Sequence, residues 1–174
     1  SITSQVSASP TAGFSVVTYT FSSAATNVVG HSLGVAPAMI LMKSRTSAYN
    51  WDVYHQSVGY TSRLILNSTG ATVAGFWASA PTSTTFSVAS NCYSNNDTVV
   101  AYCFSEVSGY SKFGSYTGNG STDGPFVYLG FRPAYVMWKR TDSTASWNIL
   151  DTARDAINIA GDALFPDLSN AEFN

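Results

Sequence analysis

Leu33-Gly34-Val35-Ala36-Pro37-Ala38 recurs, 96 residues further on, as Leu129-Gly130-Phe131-Arg132-Pro133-Ala134. The same offset carries Lys43 onto Lys139 and Trp51 onto Trp147, and it sets the apolar run 39–42 against 135–138. Upstream, Gly13-Phe14-Ser15 matches Gly109-Tyr110-Ser111, after which one extra residue, assigned to Gly114, aligns Thr18-Tyr19-Thr20 with Ser115-Tyr116-Thr117. A spacing kept through a Gly, a Pro and a Trp reads as an internal repeat of about 96 residues. In each copy the Leu-Gly-x-x-Pro-Ala segment is a turn that launches the most apolar strand, with Pro at the strand entrance where no ladder donor is needed.

Outward from that turn, the pattern is one of strands. Residues 14–21 and 51–55 alternate or cluster aromatic and β-branched side chains, as do 63–67, 84–88 and 98–104. The polar stretches 44–50 and 140–146 read as loops, and Asn95-Asn96-Asp97 as a hairpin turn rather than a calcium loop. About seven strands in copy one predict an all-β fold, an antiparallel β-sandwich of jelly-roll or lectin-like type. We divide the chain into an N-terminal arm or linker (1–12), a first repeat copy (13–108), and an incomplete second copy (109–174) packed on the first. The second stops before the counterparts of 84–88 and 98–104, so the expectation is a fragment of a longer protein or an edge completed by another chain. Only the tail from Thr152 onward has a composition suited to a short helical turn.

Composition supports this reading. Of 174 residues, 45% are hydrophobic and 14% aromatic, while only 10% are charged, against roughly a quarter in ordinary soluble domains. Surface helices normally need Glu, Lys and Arg, so this mixture favours pleated strands and tight turns. The formal net charge of −2, with no cationic cluster, argues against nucleic acid as a partner. The first residues carry no basic region followed by an apolar run, and the longest apolar stretch, 35–42, is far too short for a bilayer; we expect neither a signal peptide nor membrane insertion.

Chemistry-bearing patterns are few. Gly30-His31-Ser32-Leu33-Gly34 spells the G-x-S-x-G of a nucleophile elbow, but an elbow needs a following helix, and Pro37 opens an apolar strand instead. Across the repeat, Gly30, His31 and Ser32 fall on Phe126, Val127 and Tyr128, so only the turn-forming Leu and Gly recur. Two histidines in separate segments give no metal-ligand spacing. Cys103, inside an apolar run, reads as a buried free thiol, with a bridge to Cys92 as the alternative. Three N-x-S/T sequons begin at Asn67, Asn96 and Asn119. We therefore expect no catalytic residues, no metal and no cofactor. Four aromatic residues in segments read as loops, Tyr49, Tyr60, Trp77 and Tyr93, are the candidate platforms for stacking a sugar ring. Trp51 and Trp147, equivalent across the repeat, are expected to be buried.

Four stretches carry a family resemblance: 99–120 (VVAYCFSEVSGYSKFGSYTGNG), 30–37 (GHSLGVAP), 130–134 (GFRPA) and 147–154 (WNILDTAR). Over residues 11–173 the chain resembles an uncharacterised repeat-containing β domain of bacteriophage tail-fibre and other virion structural proteins. Members usually sit near the C-terminal part of fibre-like polypeptides, often beside lectin-like domains. The resemblance implies a non-enzymatic virion component, assembled in the host cytoplasm. It further implies homo-oligomerisation (a trimer favoured), contact with other virion proteins, and display to a host-surface glycan. A capsid decoration or cement protein and a stand-alone lectin-like carbohydrate-binding module are the alternatives.

Overall fold

The computed structural model describes residues 2–154 and 161–172 and is an all-β, antiparallel sandwich with one added hairpin. The strands are β1 (Ser4–Ser9), β2 (Phe14–Thr20), β3 (Asn27–Gly30), β4 (Met39–Ser44), β5 (Asp52–His55) and β6 (Ser62–Ile65). They continue as β7 (Val73–Ala74), β8 (Trp77–Ser79), β9 (Thr85–Val88), β10 (Thr98–Phe104), β11 (Tyr135–Trp138) and β12 (Asn148–Asp151). A seven-stranded sheet runs β1-β2-β10-β4-β5-β6-β7, and a three-stranded sheet, β3-β9-β8, covers one of its faces.

Alternation along the strands builds the core. Val17 and Tyr19 of β2, Ile40 and Met42 of β4, and Val99, Ala101 and Cys103 of β10 point inward and are buried. They meet Val29 of β3, Trp77 of β8, and Phe86 and Val88 of β9. The opposite parity of β4, Met39 and Leu41, turns to the outer face and joins a second cluster with Val53, Leu64, Met137 and Trp147. The β11–β12 hairpin is thus a third layer, pinned by the Trp147 Nε1–H donating to the Ile65 carbonyl at 2.9 Å and by Ala145 N–H donating to the Thr69 carbonyl at 2.9 Å.

The two Leu-Gly-x-x-Pro-Ala turns behave alike. Gly34 and Gly130 both sit at positive φ, +77° and +82°, where a side chain would be strained, and each turn feeds an extended strand. The hairpins that follow share one register. Met39, Ile40, Leu41 and Met42 face His55, Tyr54, Val53 and Asp52; Tyr135, Val136, Met137 and Trp138 face Asp151, Leu150, Ile149 and Asn148. Each of these positions lies 96 residues from its counterpart, and so do Ala38 and Gln56 from Ala134 and Thr152, whose carbonyl-to-amide bonds close the two hairpins at 2.8 and 3.0 Å. Beyond the hairpin the offset becomes 100. Leu64 faces Val53 as Leu164 faces Ile149, and the Trp51 and Trp147 amides donate to Asn67 Oδ1 and Asp167 Oδ1 at 2.9 and 2.8 Å.

Two expectations change. Residues 4–9, placed within an arm or linker, are the edge strand β1: Val6 packs on the core while its Ser-rich remainder faces water. Trp51 is only half-buried, stacked on Tyr102 outside the second cluster, whereas Trp147 is buried. In the tail, residues 152–154 form a turn and Ala163 and Leu164 lie in extended backbone against β12; residues 155–160, where the rest of the helical-turn expectation falls, lie outside the described residues.

The layering separates two kinds of mutational effect. Phe86→Ala empties a fully buried site and should lower global unfolding stability by about 3–5 kcal/mol in denaturant titration. Trp147→Ala should instead release the hairpin, exposing Lys139 and Arg140 to trypsin while the main unfolding transition is nearly retained.

Candidate functional site

Asp52 decides where to look. It stands on β5 with the parity of Tyr54, facing inward, and is 3% exposed. A buried carboxylate needs partners. The Tyr93 hydroxyl donates to Oδ2 at 3.0 Å, and the Arg63 Nε of β6 lies 3.3 Å from Oδ1, an ion-pair distance at which neither atom gains an aligned hydrogen bond. The Arg63 guanidinium in turn lies over the Phe76 ring, 4.8 Å from its centre.

Asp52, Arg63 and Phe76 line a cleft of about 270 Å³ together with Tyr49, Asn50, Asn91 and Cys92. The loop carrying Tyr49 and Asn50 is held from several sides. Lys43 Nζ donates to the Tyr49 carbonyl at 2.7 Å, and Asn67 Nδ2 donates to Asn50 Oδ1 at 3.0 Å. Ser47 and Thr46 hydroxyls donate to the buried Asp97 at 2.6 and 2.9 Å. Burial alone would raise the Asp97 carboxyl, but the hydrogen bonds from Ser47, Thr46, Ser44 and Ser94 outweigh it and hold the group below its ordinary value. Asp97 is therefore a charged anchor for the loop. On the other side, Phe76 holds φ +95°, an uncommon conformation for a bulky residue, directly after Gly75 at φ +81°.

Electrostatically the cleft is mixed. Burial raises the Asp52 carboxyl to about 6, opposed by Arg63 and by the Tyr93 hydrogen bond. Burial likewise pushes the Cys92 thiol up to about 11, which favours the protonated thiol at neutral pH. Cys103 is pushed by burial to about 12, and both cysteines are free.

Of the four proposed stacking residues, the structure brings Tyr49 and Tyr93 together, with ring centres 5.1 Å apart in an edge-on arrangement. Tyr49 remains exposed on the cleft rim. Tyr93 is 4% exposed, its ring packed edge-on against Phe21 and Phe76, so its face is closed to a ligand and its hydroxyl serves Asp52. Trp77 is not on a loop but on β8, buried at 5% exposure against Tyr54 and Phe76, because its parity points it into the sandwich. Tyr60 is exposed in the turn between β5 and β6 and does not line the cleft. Sequence reasoning missed Asp52 and Arg63; the available signal was a carboxylate on the inward parity of a strand. The G-x-S-x-G segment is structural: His31 is fully buried, its Nε2 meets the Thr82 carbonyl at 3.1 Å and its Nδ1 accepts from the Leu33 amide at 3.3 Å.

The model of a family described as "Domain of unknown function (DUF7483)" matches residues 1–174. No curated protein and no solved structure matches the chain.

The Asp52 shift has a sign that can be measured. Its folded value, about 6, lies above the ordinary 3.8, so its contribution to stability is fully present below pH 3.8 and is lost as pH rises through about 6. Carboxyl NMR should show a titration midpoint near 6 for this residue, and Asp52→Asn should flatten the pH dependence of unfolding between those limits.

Proposed function

We propose that this chain, which belongs to the DUF7483 family, is a non-enzymatic structural module of a phage tail fibre or related virion exterior that displays a carbohydrate-binding cleft to the host surface. The virion placement rests on the motif stretches 30–37, 99–120, 130–134 and 147–154. The binding role rests on the cleft, and one observation carries it: a buried carboxylate holds a part-exposed guanidinium in the wall of an open cleft, beside the exposed ring of Tyr49.

A neutral polyhydroxylated ring suits that arrangement. Above pH 6 Asp52 and Arg63 offset one another, which disfavours a net charged ligand. A sugar hydroxyl accepts from the part-exposed guanidinium, whose five N–H donors are never all used by one carboxylate oxygen, while the buried Asp52 holds that guanidinium in place. Asn50 and Asn91 add amide donors and acceptors at the rim, and the exposed Tyr49 ring supplies an apolar face for the C–H side of a sugar. At about 270 Å³ the cleft is at the small end of ligand sites, roughly 300–1,000 Å³, so it takes one terminal ring rather than an extended chain.

A glycan array probed with the purified chain should show binding to glycans with neutral terminal sugars. Tyr49→Ala and Asp52→Asn should each weaken it by about tenfold, a loss of about 1.4 kcal/mol, while Tyr60→Ala leaves it unchanged. Binding should also decline as pH falls through about 6, since a protonated Asp52 leaves Arg63 uncompensated and no longer holds the guanidinium in place by charge. Array binding unaffected by the two cleft variants would remove this reading.

A further inference from the structure

We infer that the free edge of β11 is a docking site for one extended polypeptide strand with the side-chain pattern of β10. The first hairpin supplies the template. There β4 is paired on one edge with β5 and on the other with β10, and β10 in turn pairs with β2. The second hairpin repeats the β4–β5 register position by position, yet among the described residues β11 pairs only with β12. The stretch matching β2, residues 110–117, forms no strand, and its Tyr110 and Tyr116 are 70% and 58% exposed. Among the described residues no strand lies between these two segments.

The exposed residues follow the same logic. Ile40 and Met42 are fully buried beneath β3 and β9, and Ala38, whose N–H donates to the Phe104 carbonyl of β10 at 2.7 Å, is buried as well. Their equivalents are uncovered: Val136 is 38% exposed, Trp138 half-buried and Ala134 exposed. Phe126 and Tyr128, just before the second turn, are 89% and 79% exposed. Apolar exposure of this extent on one segment marks an interaction surface.

Backbone polarity defines the occupant further. Ala134 accepts from Thr152 on the β12 side, so by antiparallel alternation Val136 and Trp138 also bond to β12, while Tyr135 and Met137 turn their amides to the free edge. In the first unit that edge takes Thr98-Val99-Val100-Ala101-Tyr102-Cys103-Phe104, antiparallel. The partner is therefore an uncharged strand of about seven residues, β-branched and aromatic, that runs antiparallel to β11 and sets alternate side chains beside Val136 and Trp138 on the same face.

The test uses the whole chain and a fluorescein-labelled peptide of residues 96–106, with Cys103→Ser to prevent oxidation. Fluorescence anisotropy should show saturable binding, and amide shifts should move in residues 110–117 and 135–138. Tyr135→Pro removes one outward amide without touching the β12 pairing and should weaken binding at least about tenfold, whereas Tyr135→Thr, which keeps the amide, should not. A scrambled peptide binding equally well, shifts confined to other strands, or self-association of the chain through β11 in place of peptide binding would each overturn the proposal.

Discussion

The pairing of β10 between β2 and β4 is the constraint on which the molecule depends. Residues 98–104 reach back across more than half the preceding chain to sit between segments that begin at Phe14 and Met39. Seven consecutive residues face β2 and six face β4, and Val99, Ala101 and Cys103 contribute fully buried side chains to the core. Such long-range pairing carries a large closure entropy, and burial of this strand's inward face against Phe86 and Val88 is what offsets it. Once it is in place, β4 positions β5, β5 carries Asp52, and β6 brings Arg63 alongside. The same pairing also fixes the cleft loop, because Arg45 donates to the Thr98 carbonyl at 2.7 Å and Asp97, immediately before β10, anchors Thr46 and Ser47.

The cleft illustrates how a polar site is maintained inside an apolar sandwich. Asp52 and Arg63 compensate each other, Tyr93 satisfies one carboxylate oxygen, and Phe76 supports the guanidinium. Asp52 is buried behind Arg63, whose side chain is part-exposed on the cleft wall.

Much of the architecture was legible in the residues. Clusters of aromatic and β-branched side chains marked β2, β4, β5, β6, β9 and β10, and Pro37 and Pro133 marked strand entrances. What escaped was determined by context. The sequence of β1, Ser-Gln-Val-Ser-Ala-Ser, looks like a linker because an edge strand with one wet face needs few apolar residues. Trp77 is flanked by Gly75 and a Ser/Thr-rich stretch, so its strand of three residues has no alternation to detect. Tyr93 lies among polar turn residues, and only the fold reveals that its ring closes the sandwich end. Asp52 was visible as an acidic residue in a strand, but its partner Arg63 is eleven residues on, and their meeting depends on the turn between β5 and β6.

If β10 organises the sandwich, and the β11–β12 hairpin holds the same register with no such strand beside it among the described residues, the two regions must differ in stability. Native-state hydrogen exchange measures this directly. The account predicts that amides of β10, β2 and β4 exchange only through global unfolding, while those of β11 and β12 open by a separate event of much lower free energy. Equal protection in the two hairpins, or exchange from β10 as fast as from β11, would contradict it.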